Sequence, residues 1–328
     1  MSLRPEERES LCRKILNHKR IQGCIVVLCE GSIGYIDIHT PQQIREFENL
    51  PDANFWRATV PGWWRNKRPV FIPCGDRASV LSVYRELKTA HNSDPDNSYL
   101  SPEKLFALVD LDLQPADLSE ISSHHSDTES LYHQMYHNSR VNKDVISESH
   151  ILVTGWIHKE AYFLEPDLQA LFDTGDYRLS FSGSQLQLDD VYRKMAHDLP
   201  QDNDIRKNFS RVWERVKNRI NGHAENPEQL AKLWEKLFSD TTDVSAKRNL
   251  IESLLSIKKA KSYWKKISVS HAYPYSDEDG LRDSLMLEIA SFYADRCEER
   301  WESGSPFYHI PQWIQLLRDY HQSGFRPS

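Results

Sequence analysis

Short apolar runs alternate with segments of helical periodicity in the N-terminal half of the chain. Continuous apolar runs, typical of strands that are buried on both faces, occur at 23–30, 69–73, 105–113 and 150–155. Residues 74–88 follow the second run and place apolar side chains at helical spacing, with Asp76 as the expected N-cap. Strands that alternate with helices predict an α/β fold with a mostly parallel sheet flanked by helices.

The pattern changes to helices after about residue 188. A Gly- and Ser-containing stretch at 178–187 first predicts a turn or hairpin. Asn226 and Pro227 suit the N-cap and the first position of a helix. We therefore expect an α/β domain at 1–185 and an all-helical domain at 186–328. The predicted helices of the second domain are 188–197, 205–220, 227–239, 246–257, 279–300 and 311–320.

Composition places the chain among ordinary globular proteins. It has 328 residues, of which 39% are hydrophobic and 27% charged, enough to build a core without disulfide bonds. The five cysteines contain no C-x-x-C pair, which argues against a cysteine-rich zinc site. The longest apolar run covers only 24–29, whereas a membrane-spanning helix needs roughly 20 apolar residues. The N-terminus contains no apolar signal-peptide core, so we expect a cytoplasmic protein without a membrane partner.

Charge is distributed unevenly along the chain. The net charge of −7 argues against a nucleic-acid partner, but 205–266 carries 15 basic and 7 acidic residues. A second basic stretch at 56–68 interleaves tryptophans with cations, a combination that can stack on bases and hold phosphates. The alternative for both stretches is a solvated or packed protein surface. The candidate contacts to DNA or RNA are Arg57, Arg65, Lys67, Arg68, Arg211 and Arg215.

Acidic residues follow the predicted strands. Glu30 closes the first run, Asp110 and Asp112 close the third as a D-x-D, and Glu160 follows the fourth. Ligands of open α/β sheets bind at the carboxyl ends of the strands, and strand alternation would point the two aspartates to one side. Carboxylates suit Mg²⁺ or Mn²⁺. The sequence therefore predicts a metal site, with ordinary polar strand ends as the alternative.

The order of these motifs resembles a known family. CIVVLCEG, CGDRASVL, LFALVDLDL and TGWIHKEAYFLEP are similar to the successive motifs of a Toprim domain, the catalytic fold of topoisomerases and primases. The resemblance covers about residues 20–170. It is nearest to bacterial Toprim-like proteins and to nucleases of the overcoming-lysogenization-defect type.

The resemblance implies roles for individual residues. Glu30 matches a glutamate that acts as a general acid/base or metal ligand, and Gly31 matches a glycine that lets the backbone approach the site. Asp110 and Asp112 match metal-binding aspartates, and Glu160 loosely matches a late acidic residue. Many relatives also carry an acid four residues after the first glutamate. Here that position is Gly34, which puts a second metal site in doubt.

We expect from this resemblance a Mg²⁺-dependent nuclease that acts on DNA or RNA, with a role in bacterial defence. Glu30, Asp110 and Asp112 are the expected catalytic residues, and Glu160 is a further metal ligand. One alternative is a non-catalytic nucleic-acid-binding protein with an incomplete metal site, which Gly34 favours. Another is an adaptor whose helical half binds a protein partner such as a separate ATPase.

Overall fold

The computed structural model describes residues 2–33, 44–137, 140–175, 178–269, 278–297 and 307–323. Within these ranges, no helix combines the length and apolar character that crossing a membrane requires. The helices are α1 (Pro5–Leu16), α2 (Ile44–Glu48), α3 (Pro51–Ala58), α4 (Arg77–Ser93), α5 (Thr128–Met135), α6 (Lys143–Ser149), α7 (Leu168–Thr174), α8 (Leu188–His197), α9 (Asn203–Lys207), α10 (Phe209–Val216), α11 (Pro227–Asp240), α12 (Val244–Leu255), α13 (Lys261–Trp264), α14 (Glu278–Arg296) and α15 (His309–Ser323). The strands are β1 (Val26–Cys29), β2 (Val70–Pro73), β3 (Leu105–Val109), β4 (Tyr136–His137), β5 (Arg140–Val141), β6 (Ile151–Val153), β7 (Leu179–Phe181), β8 (Ser184–Gln185) and β9 (Ser268–Val269).

A parallel four-stranded sheet forms the centre of the α/β fold. Its strand order is β2-β1-β3-β6, and Val27 of β1 pairs with Phe71 on one side and Phe106 on the other. Every residue of these four strands is buried, which explains why the sequence shows continuous apolar runs rather than alternation. The predicted α/β class and parallel sheet are confirmed, and each strand lies within its predicted run.

Helix α4 follows β2 as the apolar spacing predicts. Asp76 is its N-cap and accepts a hydrogen bond from the Ser79 backbone N–H at 3.0 Å. Val80, Tyr84 and Leu87 are buried on the face that packs against the sheet. This helix carries the chain from β2 across β1 to β3, so β1 lies in the interior of the sheet.

Two compact units divide the chain. The first comprises Met1–Val109, Ala116–Thr154 and Asp283–Ser328, and it contains the parallel sheet. The second comprises Asp110–Pro115 and Gly155–Arg282. The expected boundary between residues 185 and 186 therefore falls inside the second unit.

The second unit is mainly helical. Asn226 caps α11 through the Gln229 backbone N–H at 2.9 Å, and Pro227 occupies the first turn, as predicted. The helix predicted at 205–220 is interrupted at Asn208 and forms α9 and α10. The predicted hairpin forms from β7 and β8, and β7 also pairs with β9, in a stretch where the sequence predicts no strand.

Candidate functional site

Glu30 directly follows β1 in the first unit and is half-buried. The next residue, Gly31, exchanges two backbone hydrogen bonds with Gly75, each 2.9 Å long, so the turns after β1 and β2 are joined. The Ser32 backbone N–H donates to Asp52 Oδ2 at 3.1 Å. A Cβ atom placed on Gly31 would lie only 2.6 Å from Asp52 Cβ. Gly31 thus allows a second carboxylate to approach the end of β1.

Asp52 is a candidate site residue that the sequence analysis missed. It lies in the first turn of α3, where a carboxylate is favourable, and Pro51 at the helix start signals that turn. Pro51 predicts that Asp52 lies in the first turn of a helix. It does not predict that this helix places Asp52 beside Gly31. Gly34, the position at which many relatives carry an acid, lies outside the described residues.

Asp110 and Asp112 lie in the six-residue segment of the second unit that follows β3. Asp110 Oδ1 accepts a hydrogen bond from the Lys159 backbone N–H at 3.1 Å. Asp112 has a left-handed backbone with φ of 40°, and its N–H donates to the Ile157 carbonyl at 3.1 Å. Because β3 ends at Val109, strand alternation does not extend to these aspartates. Hydrogen bonds to residues 157–159 set their positions instead.

A lysine pairs with Asp112. Lys259 Nζ lies 3.5 Å from Asp112 Oδ1 and 3.0 Å from Asp204 Oδ2. Partial burial alone would lower the pKa of Lys259, but Asp204 and Asp112 outweigh it and raise that pKa above its ordinary value. Lys259 therefore remains a full positive charge beside the second aspartate of the D-x-D.

Glu160 is surrounded by basic groups. Its Oε2 atom lies 3.1 Å from His158 Nδ1, and its Oε1 atom lies 3.7 Å from Lys261 Nζ. His158 Nε2 accepts a hydrogen bond from the Ala260 N–H, which assigns the imidazole proton to Nδ1, the nitrogen that faces Glu160. Burial would raise the pKa of Glu160, but His158, Lys159 and Lys261 hold it well below its ordinary value. Glu160 is thus ionised at neutral pH.

Two of the predicted nucleic-acid contacts hold the D-x-D segment from within the second unit. Arg215 is 5% exposed and donates to the carbonyl oxygens of Asp112 at 2.5 Å and Ser256 at 3.1 Å. Arg211 donates to the Leu113 carbonyl at 2.6 Å. These guanidinium groups support the backbone of the candidate site, and the burial of Arg215 leaves little of its surface for a phosphate.

The four cations of 56–68 have different environments in the first unit. Arg57 donates to Asn49 at 3.0 Å and to Asn54 at 2.7 Å. Arg68 donates to the Val60 carbonyl at 2.6 Å. Arg65 and Lys67 are exposed. Arg65 and Lys67 are therefore the residues of this group whose side chains are open to a phosphate.

The tryptophans of the same stretch pack against helix α15. Trp56 and Trp64 are buried, and the Trp56 ring centroid lies 6.1 Å from that of Trp313. The Arg318 guanidinium lies over the Trp63 ring, 4.2 Å from its centroid. These contacts assign the aromatic rings to packing within the first unit, which was the alternative interpretation of this stretch.

The carboxylates have the ligand chemistry of a Mg²⁺ or Mn²⁺ site. Asp110, Asp112 and Glu160 supply hard oxygen donors, and all three are half-buried. Across the described residues, no three His, Cys, Asp or Glu side chains are grouped so as to hold one metal ion. Asp112 and Glu160 have lysine ammonium groups nearby instead. The donors suit the cation in type, but their arrangement in the described residues does not form a three-ligand metal site.

Comparisons with protein-family models, with characterised proteins and with solved structures gave no match to this chain. The strand order and the contacts of the acidic residues therefore carry the functional argument.

Proposed function

We propose that this protein is a Toprim-like, Mg²⁺-dependent nuclease that cleaves DNA or RNA. The observation that carries the proposal is the strand order β2-β1-β3-β6, in which the order reverses between β1 and β3. Ligands of open α/β sheets bind beyond the carboxyl ends of the strands at such a reversal. Glu30 directly follows β1, and Asp110 directly follows β3. The resemblance in motif order points to the same residues.

By the resemblance, Asp110, Asp112 and Glu160 are the residues that would hold the cation, and a cation bound there would neutralise the scissile phosphate and position a water molecule for attack. Glu30 would act as the general acid or base, a role that rests on its place after β1. The hydrogen bonds from Lys159 to Asp110 and from Arg215 to the Asp112 carbonyl hold the D-x-D segment in place. The exposed Arg65 and Lys67 would contact the nucleic-acid backbone. A role in bacterial defence belongs to the same proposal.

A second candidate is a non-catalytic nucleic-acid-binding or partner-binding protein. The observation that favours it is the pairing of Asp112 with Lys259 and of Glu160 with Lys261, which neutralises the carboxylates without a metal ion. In that case the mainly helical part would bind a protein partner, such as a separate ATPase.

Cleavage assays on the full chain test the proposal. We expect single- or double-stranded DNA or RNA to be cut with Mg²⁺ or Mn²⁺ and left intact with EDTA. Asp110→Asn removes a metal ligand and is expected to lower the rate roughly 10²-fold or more, the loss typical of removing one charge-stabilising group. Asp240→Asn is the matched control, because Asp240 is exposed at the end of α11.

The outcomes separate the two candidates. Cleavage that survives Asp110→Asn would exclude Asp110 from the reaction. Tight, salt-dependent binding of nucleic acid without cleavage of any substrate would support the second candidate. Failure of both binding and cleavage would leave the nuclease proposal without support.

A further inference from the structure

The amino-terminal edge of the parallel sheet, in the first unit, carries a group of basic side chains. Strands β1, β2 and β3 begin in register with one another, so the segments that precede them lie at the same edge. Lys67 lies shortly before β2, and Lys104 directly precedes β3. Glu30 follows β1 at the opposite edge. The basic group is therefore separate from the end of β1 that carries Glu30.

Both lysine ammonium groups lie beside Gly23, which shortly precedes β1. Lys104 Nζ donates a hydrogen bond to the Gly23 carbonyl at 3.3 Å. Lys67 Nζ occupies the space next to the Gly23 Cα atom, because an added Cβ would lie only 2.5 Å from this nitrogen. Lys67 also has a left-handed backbone with φ of 50°, which is uncommon for a residue other than glycine. The backbone thus brings two positive charges to one residue.

His321, in the last turn of α15, lies close to the same two lysines. Burial, together with the positive charges of Lys104 and Lys67, lowers the pKa of His321. Its Nδ1 atom is buried and makes no hydrogen bond to any described residue. The imidazole ring lies 5.9 Å from the ring of the buried Trp64, measured between centroids. A buried nitrogen without a partner costs free energy, which a suitable ligand would recover.

The acidic side chain of this region already has a partner. Glu48 is 1% exposed and lies 2.7 Å from the Arg20 guanidinium. Among the described residues, no carboxylate forms an ion pair with Lys67 or Lys104. Two ammonium groups that lie beside one residue repel each other, and an anion between them would reverse the sign of that interaction.

We propose that Lys67 and Lys104 bind a phosphate group at this edge of the sheet, with His321 as the third donor. Phosphate oxygens accept short, charge-assisted hydrogen bonds from ammonium groups, and one phosphate has enough oxygens for several donors. The His321 Nδ1–H can donate a further bond. The phosphate can belong to a small molecule or to a nucleic-acid backbone. The inference does not depend on cleavage at the candidate catalytic residues.

Calorimetric titration of the full chain with inorganic phosphate, at constant ionic strength, tests the site. We expect saturable binding that chloride at the same ionic strength does not reproduce. Lys67→Gln and Lys104→Gln should each weaken binding roughly tenfold, the loss expected for one charge-assisted hydrogen bond at a partly exposed site. Lys143→Gln is the matched control, because it removes one positive charge from the same unit, at a lysine that pairs with Asp319 at 2.9 Å.

His321→Phe tests the third donor. It keeps an aromatic ring beside Trp64 and removes the ring nitrogens, so we expect binding to weaken severalfold with little change in the packing of α15. Unchanged phosphate binding by this variant would exclude His321 from the site.

Gly23→Ala tests the geometry of the site. The new Cβ would displace Lys67 Nζ, so this variant should weaken phosphate binding about as much as Lys67→Gln does. In a chain that already carries Lys67→Gln, the same substitution should cause little further loss, because the displaced ammonium is absent. Equal losses in both backgrounds would contradict the placement of Lys67 at the site.

A single-stranded oligonucleotide distinguishes the two sources of phosphate. If Lys104→Gln weakens oligonucleotide binding as it weakens the binding of inorganic phosphate, the site takes backbone phosphates. If it weakens only the binding of inorganic phosphate, the site takes a phosphorylated small molecule or the free ion.

Two outcomes overturn the inference. One is that Lys67→Gln and Lys104→Gln weaken the binding of neither ligand, and the other is that Lys143→Gln weakens it as much as they do. A chain that cleaves no substrate can still bind phosphate here, so these outcomes differ from failure of the proposed function. Thermal unfolding of each variant establishes that it is folded.

Discussion

Gly31 shows how one residue can control the surroundings of Glu30. An added Cβ would lie 2.6 Å from Asp52 Cβ and 2.7 Å from Asp52 Oδ2, closer than real Cβ contacts come. We expect Gly31→Ala to displace Asp52 and break its hydrogen bond with the Ser32 N–H. The free energy of unfolding should fall by about 1–3 kcal/mol, the usual cost of overpacking. Urea unfolding of the full chain measures this change.

Gly62→Ala is the control for this substitution. A Cβ at Gly62 meets no atom within 4 Å, so its unfolding free energy should stay within about 0.5 kcal/mol of the wild type. Equal stability of Gly31→Ala and the wild type would show that Asp52 can move aside freely. In that case the position of Asp52 does not depend on a glycine at residue 31.

Glu165 links the stability of the second unit to pH. It is 3% exposed, and its Oε1 atom accepts a hydrogen bond from Trp156 Nε1 at 2.7 Å. Burial raises the pKa of Glu165 to about 8, although the hydrogen bond from Trp156 opposes the rise. An unfolded glutamate ionises near pH 4.3, so between about pH 4.5 and 8 the folded protein keeps a proton that the unfolded chain has released. The contribution of Glu165 to the free energy of unfolding therefore falls as the pH rises through this window.

Glu165→Gln is expected to remove this pH dependence, because an amide does not titrate and its oxygen can still accept from Trp156. Urea unfolding at pH 5.5 and pH 8 should show that the unfolding free energy of the wild type falls more than that of the variant, by up to about 1.4 kcal/mol per pH unit. Glu235→Gln, on an exposed position of α11, should keep the wild-type slope. A variant slope equal to that of the wild type would mean that Glu165 is already ionised in the folded protein.

At the scale of elements, local patterns in the sequence predict the parallel strands and several of the helices. The four apolar runs become the four parallel strands, because burial on both faces requires uninterrupted apolar residues. Asp76 and Asn226 cap the helices that they are predicted to cap, since capping depends only on neighbours along the chain. These features can be predicted because their causes lie within a few residues.

Structural features that depend on residues distant in sequence cannot be predicted from local sequence patterns. The helix predicted at 205–220 breaks at Asn208, where the side-chain amide donates to the Asp204 carbonyl and its oxygen accepts from Arg211. The positions of the acids after β1 and β3 follow from the sequence, but their partners do not. Lys259 and Asp52 reach the candidate site residues through the packing of elements that are remote in sequence.

At the scale of the whole molecule, the two compact units are not successive segments of the chain. The residues from Asp283 onward group with the N-terminal α/β unit. Within that unit, Trp313 of α15 packs beside Trp56, and the Tyr320 hydroxyl lies 3.1 Å from His150 Nε2. The sequence pattern identifies α15 as a helix, but periodicity does not indicate which sheet the helix covers.

A chain that ends at residue 185 tests this organisation, because it corresponds to the predicted α/β domain and lacks α15. We expect it to lose cooperative urea unfolding and near-UV circular dichroism. Removing α15 exposes the buried side chain of Trp56, and each large apolar side chain that loses its burial costs about 1.5–3 kcal/mol out of a total stability of about 5–15 kcal/mol. The shortened chain also cuts the second unit between α7 and α8.

A chain that ends at residue 323 is the control, because it keeps α15 to its last residue and should unfold as the full chain does. A cooperative transition in the 1–185 chain, at the same urea midpoint as in the control, would contradict the prediction. It would mean that the parallel sheet and its own helices hold the α/β unit together, and that α15 only covers a surface that is already stable. Loss of cooperativity in the 1–185 chain alone would instead show that the predicted α/β domain is not stable without the residues that follow it, which include α15 of the unit that carries Glu30.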